Sequence, residues 1–353
     1  MKNLGFFNDK KVLLTGHSGF KGSWMCRVLV NAGAEVCGYS LPPDEENCLY
    51  HLAKIEDSVC NVFADIRDYE TLSKCFKDFQ PDIVIHMAAQ PLVIDGYEKP
   101  RYTYETNVMG TVNLLDCIRQ SNSVKSVLNV TTDKVYRNNE WCWGYRENEA
   151  LDGYDPYSNS KSCSELVTHC YAQSFFKDTG VNISTARAGN VIGGGDFAKN
   201  RIIPDCVRAK KSGRAIYVRN PYSIRPYQHV LEAIFAYLMI VEKQYDNSHF
   251  AGNYNIGPDE SDCVTTEKLV TLFCEYWNNA ISWYTDDSVK DVHEANRLKL
   301  DCSLAQSVFG WKPRWSVKDA ITQTCEWSKV WLNGGNIAEE MDREIRLYLE
   351  SEG

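Results

Sequence analysis

The chain has 353 residues, 44% of them hydrophobic and 24% charged, with 38 Lys and Arg against 47 Asp and Glu and a formal net charge of −9. That is enough apolar material for one large or two modest cores, while the acidic balance excludes a general nucleic-acid binder, whose surface must neutralise a phosphate backbone. No run approaches the roughly 20 apolar residues of a membrane span, Met1–Lys10 lacks the apolar core of a secretory leader, and the 14 cysteines never fall at Cys-x-x-Cys spacing, so a cytoplasmic protein with reduced thiols, no metal site and no membrane partner is expected.

In chain order, Val12–Thr15 reads as a buried strand that runs straight into Thr15-Gly16-His17-Ser18-Gly19-Phe20-Lys21-Gly22, ahead of a helix predicted over Ser23–Ala32. A Gly-x-x-Gly-x-x-Gly loop between strand and helix sets backbone N–H groups at a helix N-terminus against a dinucleotide pyrophosphate, where a β-carbon would block close approach. Gly16, His17, Gly19, Phe20, Lys21 and Gly22 are therefore candidate cofactor contacts. Glu35–Tyr39 is the second strand, and an acid that grips an adenosine ribose belongs near its end. Ser40 stands there instead, so NAD is the expected cofactor with NADP left open, and Lys21 is a candidate partner for a 2′-phosphate. After a third strand, Val59–Ala64, Asp65 and Ile66 are placed to hold adenine by a hydrogen bond and by packing.

A fourth strand at Ile83–His86, a helix over Tyr102–Arg119, a strand at Ser126–Thr131, a helix over Tyr157–Lys177 and a strand at Val181–Ala186 continue the alternation. It predicts an α/β fold of Rossmann type, a doubly wound parallel sheet covered on both faces. Beyond Gly189 the rhythm breaks into Gly- and Pro-containing loops, with helices near Leu231–Glu242 and Glu267–Trp277. We expect a dinucleotide-binding unit over residues 1–188, rejoined by roughly 225–257. A smaller, mostly C-terminal lobe over 189–353 should close the ligand cleft against the carboxyl ends of the strands.

Tyr157 and Lys161, after the Asp155-Pro156 turn, lie four residues apart on one helical face. A phenol is a poor base at neutral pH unless a neighbouring ammonium stabilises its phenolate, and Lys161 is placed to do so while donating to a nicotinamide ribose. About 25 residues earlier the strand ends in Thr131-Thr132-Asp133-Lys134, where Thr132 can share a substrate hydroxyl with Tyr157. Glycine loop, threonine and Tyr-x-x-x-Lys in this order resemble the extended short-chain dehydrogenases that act on nucleotide sugars. Within that class an epimerase needs only reversible hydride removal at C-4, whereas a dehydratase must also take the C-5 proton and protonate the departing C-6 hydroxyl, work worth about 10²–10⁴-fold to an acid–base pair.

The resemblance then narrows. Gly-His-Ser-Gly-Phe-Lys-Gly-Ser-Trp at 16–24, His-Met-Ala-Ala-Gln-Pro-Leu-Val at 86–93, Thr-Thr-Asp-Lys at 131–134, Trp-Gly-Tyr-Arg-Glu at 143–147, Arg-Ala-Gly-Asn-Val-Ile-Gly-Gly-Gly-Asp at 187–196, Arg-Pro-Tyr-Gln-His-Val-Leu-Glu at 225–232 and Leu-Lys-Leu-Asp at 298–301 are similar to CDP-glucose 4,6-dehydratases along nearly the whole chain. The related dTDP-glucose enzymes carry Asp-Glu after the threonine, so Lys134 favours the CDP-sugar branch. The resemblance implies a redox-neutral cycle with Tyr157 as C-4 base, Lys161 as its pKa modulator, Thr132 positioning the hydroxyl, Asp133 as acid to the leaving group, and Lys134 as C-5 base or enolate stabiliser. It adds Ala88, Ala89, Gln90 and Asn107 to the cofactor shell, and implies a homodimer built partly on the two long helices. The diphosphate of such a substrate calls for arginine and amide donors. Asn190, Arg201 and Arg225 are the candidates, with Gln90 and Thr132 at the sugar and Tyr217 stacking on the base. Arg187 reads equally as a structural ion-pair partner, and His229 and Glu232 mainly as structural. The family's usual arginine and tryptophan are replaced here by Ile94 and Tyr227. An epimerase or reductase that keeps the hydride chemistry without elimination, and a non-catalytic dinucleotide sensor, are the competing functions on this fold.

Overall fold

The computed structural model describes residues 4–43, 48–286 and 296–351. Seven strands form one parallel sheet: β1 (Lys11–Thr15), β2 (Glu35–Ser40), β3 (Cys60–Phe63), β4 (Ile83–His86), β5 (Ser126–Val130), β6 (Asn182–Ala188) and β7 (Asn253–Ile256), in the order β3-β2-β1-β4-β5-β6-β7. The inner strands are continuous buried runs, such as Ile83-Val84-Ile85-His86, because helices cover both faces of a parallel sheet. One face carries α1 (Phe20–Asn31) and a core containing Trp24, Leu29, Ile85 and Leu128; the other carries α2 (Tyr69–Phe79) and a core containing Leu72, Phe76, Val84 and Val127.

The register fixes where ligands go. Thr15 pairs with His86, and His86 with Asn129, so β1, β4 and β5 end together. The strand order reverses on either side of β1, which opens a crevice between β1 and β4 at their carboxyl ends.

After β4 come α3 (Val93–Glu98) and α4 (Pro100–Tyr104), which continues through a π-helical turn at Glu105–Met109 into α5 (Gly110–Gln120). The second long helix is α6 (Pro156–Tyr171), started by the Asp155 side chain, which accepts from Ser158 N, and by Pro156 in its first turn.

Beyond β6 the chain builds a separate core of Ile203, Cys206, Leu269, Phe273 and Ile321 from α7 (Ile202–Ser212), α9 (Thr266–Tyr276) and α11 (Val317–Leu332). Between the first two of these, α8 (Val230–Gln244) packs on β5, β6 and α1, and β7 pairs with β6. The periodicity beyond Gly189 identified α8 and α9; the structure adds α7, α10 (Ser303–Phe309), α11 and α12 (Ile337–Glu350). Of these α11 carries a readable start, a capping box of Ser316 and Asp319. The 14 cysteines are all free. Among the described residues no helix is long and apolar enough to cross a membrane, and no group of three or more metal-ligating side chains forms.

Candidate active site

The glycine loop makes one end of the site. Gly16 has φ +78°, and a β-carbon on it would lie 2.8 Å from the Ala88 nitrogen; one on Gly22 would lie 2.1 Å from the Gly16 oxygen. Both glycines are required by close backbone approach. Gly19 differs: its β-carbon would meet only the Gly16 oxygen, at 3.5 Å, and as N-cap of α1 it leaves the first-turn N–H groups without a side-chain acceptor. This is an open, donor-lined cradle of the kind that takes a pyrophosphate, so the residues fit a bound dinucleotide. Thr15 braces it from below, its hydroxyl oxygen accepting from Met87 N and Ala88 N and lying 2.7 Å from His86 Nδ1.

Several expected cofactor contacts hold the groove rather than face it. The His17 ring is fully buried against Gly38, 3.0 Å from Asn61 Oδ1 and stacked on Phe63, and burial lowers its pKa to about 4. Ser40 Oγ lies 2.8 Å from Ser18 Oγ and 2.9 Å from the Leu41 oxygen. The Asp65 carboxylate is taken by Arg67, which holds it below the usual carboxylate range, and Ile66 is wedged against Gly110. The Asn107 amide brackets Gln90, accepting from its N and donating to its oxygen, and also donates to Ser160. Gln90, expected at both cofactor and sugar, spends its own amide on Thr103 and Leu92 N. Ala88 and Ala89 remain partly exposed at the crevice.

At the other end a cleft of about 830 Å³ is lined by Phe20, Lys21, Thr132, Lys134, Tyr157 and the loop after β6. Tyr157 hydrogen-bonds Thr132; burial pushes the phenol up to about 12, opposed by that bond and by Arg201. Lys161, one turn along α6, is 4% exposed and donates to the Val130 oxygen at 3.1 Å. Burial, then the neighbouring Lys21 charge, lowers its pKa to about 7. Asp133 is fully buried. One carboxylate oxygen accepts from Thr132 Oγ1 and from Lys134 Nζ, both at 3.0 Å, and the other has no partner. The Asp133 carboxylate and the Lys134 ammonium therefore form one ion pair beside Thr132.

Behind this wall Glu165 and Arg187 form a buried pair at 2.9 Å, each side chain 2% exposed. Glu165 also accepts from Thr131 and Thr185, and Arg187 donates to Tyr136 OH and the Glu147 oxygen. Arg187 is thus structural. So are His229 and Glu232: His229 lies 3.3 Å from Glu344, and Glu232 accepts from Trp315 N and Tyr348 OH.

Across the cleft stand Asn190, which accepts from Lys134 at 3.3 Å, Arg201, paired with Asp196 at 3.0 Å, Arg225, 6% exposed, and Tyr217, 5.5 Å from the Tyr284 ring. Sequence reasoning gave Asp196 no role, although it closes the motif at 187–196, because an acid is not expected opposite a diphosphate. It also sent Lys21 toward the ribose, whereas this side chain lines the catalytic cleft. Ile94 and Tyr227 both line the cleft.

Comparison with known proteins agrees with this arrangement. The profile of the GDP-mannose 4,6 dehydratase family matches residues 13–324. CDP-glucose 4,6-dehydratase of Salmonella typhimurium is 44% identical over 357 residues, covering 99% of each chain. Among solved structures, UDP-glucose 4-epimerase of Thermotoga maritima superposes with a TM-score of 0.79 at 20% identity (91% of this chain, 99% of the other), and dTDP-glucose 4,6-dehydratase of Bacillus anthracis with 0.76 at 20% (91% and 96%). The sheet order, the cradle and the Thr132–Tyr157 contact thus come with a full-length match, and the chain belongs to the GDP-mannose 4,6 dehydratase family, alongside the Salmonella CDP-glucose 4,6-dehydratase.

Proposed function

We propose that the protein is an NAD-dependent hydro-lyase that converts CDP-glucose to CDP-4-keto-6-deoxyglucose, working in the cytoplasm as a homodimer. One observation carries the reading: Thr132, Lys134 and a tyrosine bonded to Thr132 line one cleft beside a dinucleotide cradle, with Asp133, paired to Lys134, and Lys161 buried directly behind them. An epimerase has no task for the Asp133–Lys134 pair. The Salmonella relative, named for CDP-glucose and similar over its full length, supports the nucleotide choice. Exposed Met109 in the π-helical turn before α5, Leu166 on α6 and Phe175 in the π-helical turn Ala172–Phe176 that follows it favour a second copy packing there.

Gly16, Gly19 and Gly22 would hold the pyrophosphate and Lys161 the nicotinamide ribose. Bound NAD supplies a reversible hydride acceptor for C-4 and a donor for C-6. Thr132 orients the C-4 hydroxyl and Tyr157 removes its proton. A phenol held near 12 needs positive charge beside it to do this at neutral pH; Lys161 and Arg201 are the groups in place. The Asp133–Lys134 couple gives the departing C-6 hydroxyl its proton, which comes from the Lys134 ammonium and passes through the Asp133 carboxyl, whose second oxygen has no protein partner. Arg225, Arg201 and Asn190 hold the diphosphate.

The test is to incubate the protein with NAD and, separately, CDP-glucose, dTDP-glucose, UDP-glucose and GDP-mannose, and to identify products by mass and NMR. Loss of water from CDP-glucose is expected; an epimerised hexose with its oxygen retained rejects the reading. In Asp133→Asn, elimination should slow by about 10²-fold or more while C-4 oxidation continues, so reduced nicotinamide accumulates. Full turnover in that variant removes Asp133 from the acid role.

A further inference from the structure

The elimination needs a base for the C-5 proton; of the three lysines that line the cleft, Lys199 is exposed at its lip, which leaves Lys134 and Lys21. They differ in what occupies their amines. Lys134 Nζ donates to Asp133 at 3.0 Å and to Asn190 at 3.3 Å; an ammonium held by a carboxylate and an amide oxygen has no lone pair to offer. Lys21 enters the same cleft from the first turn of α1, next to Phe20, and among the described residues makes no hydrogen bond and no ion pair. We infer that Lys21, not Lys134, is the base that takes the C-5 proton, an inference that rests on the dehydratase reading above.

The surroundings suit a neutral amine. Lys161 from α6, Arg201 from the second lobe and Lys134 from the loop after β5 all oppose a charge on Lys21, while Asp133 and Asp196 favour it. Burial is the largest influence, and the outcome is a pKa of about 8. In the step itself the C–H bond at C-5 breaks and its proton goes to the Lys21 nitrogen. The electron pair becomes the C-4/C-5 double bond of an enolate whose oxygen faces the Lys134 ammonium. When the C-4 carbonyl re-forms, the C-5/C-6 double bond forms and the C-6–oxygen bond breaks, and the oxygen leaves as water with a proton from the Asp133–Lys134 couple. After hydride reaches C-6, Lys21 returns its proton to C-5. The couple regains the proton that Tyr157 took from the C-4 hydroxyl, so one water is the only by-product.

The experiment follows solvent deuterium at C-5 of the product, with nicotinamide absorbance read on the same samples, for wild type, Lys21→Met, Lys21→Arg and Lys134→Met. Lys21→Met and Lys21→Arg should each lose about 10²-fold or more in C-5 exchange and turnover. Both should still reduce the nicotinamide on mixing with CDP-glucose, which shows a folded, substrate-binding protein. Arginine keeps the charge but cannot serve as a base. A Lys21→Arg variant that exchanges within about threefold of wild type, or a Lys134→Met variant that alone abolishes exchange, overturns the assignment. Should both Lys21 variants fail to fold, the wild-type pH profile decides: C-5 exchange rising to a plateau through about pH 8 supports it, and a flat profile there overturns it. A wild type that releases no 4-keto-6-deoxy sugar fails at the level of the function itself, and so is separate from any failure confined to the variants.

Discussion

The two walls of the cleft are built on opposite principles. The wall made by β5 and α6 is a closed polar lattice: Thr131, Thr132, Asp133, Lys161 and Glu165 are each under 7% exposed and bonded to fixed partners, down to the Glu165–Arg187 pair. The wall made by the loops after β6 is half open, with the Arg201 side chain 36% exposed and Lys199 and Asn200 at its lip. Chemistry needs groups held to fractions of an ångström, and a buried lattice supplies that. A wall that must admit and release a charged ligand cannot be so tightly committed.

The comparison breaks most visibly at Tyr157. If the closed wall is the reacting one, Tyr157→Phe removes the only hydroxyl bonded to Thr132 from α6, and C-4 oxidation should fall by about 10²–10⁴-fold. Stopped-flow nicotinamide absorbance checks this, and normal reduction on adding substrate would move the chemistry elsewhere. A second stroke tests the lattice itself. Glu165→Leu leaves the Arg187 guanidinium buried without its partner, a loss of about 3–5 kcal/mol to be read from urea unfolding, with the remaining turnover per folded molecule also reduced because Thr131 loses its acceptor. Unchanged stability would show that the Glu165–Arg187 pair does not hold the wall together.

How much of this was legible in the sequence follows the same division. The sheet, the two long helices and the Thr132, Tyr157 and Lys161 constellation could be read because each depends on short spacings: apolar runs of four to six, a strand-to-glycine junction, a residue and its neighbour one turn on. The Asp155-Pro156 start of α6 is of this kind. What could not be read depends on direction or distance. His17, Asp65, Ile66 and Gln90 lie where the cofactor shell was expected, but whether a side chain faces the groove or braces it is decided by partners remote in sequence, such as Asn61 for His17 and Gly110 for Ile66. Lys21 illustrates the limit: the loop was identified, but the side chains its lysine meets, Asp133, Lys134, Asp196 and Arg201, are all remote in sequence. The C-terminal helices carry no motif, and their partners are remote in sequence: α11 packs on α9 and α12, α12 also on α1, and α10 on β7.

The smallest effect should come from the open wall, and it separates binding from chemistry. Arg225 is 6% exposed within that wall, lines the cleft and donates to the Ile224 oxygen. A methionine of similar length at this position keeps most of the packing and removes the charge. A charge-assisted bond to a diphosphate is worth about 1.5–3 kcal/mol, so Arg225→Met should raise KM for the nucleotide sugar by roughly ten- to a hundredfold. The turnover number should stay within about threefold, because a contact made equally in ground and transition states leaves kcat alone. A fall in kcat as large as the rise in KM would mean that the two walls act as one, and that the open wall also places the sugar over Tyr157.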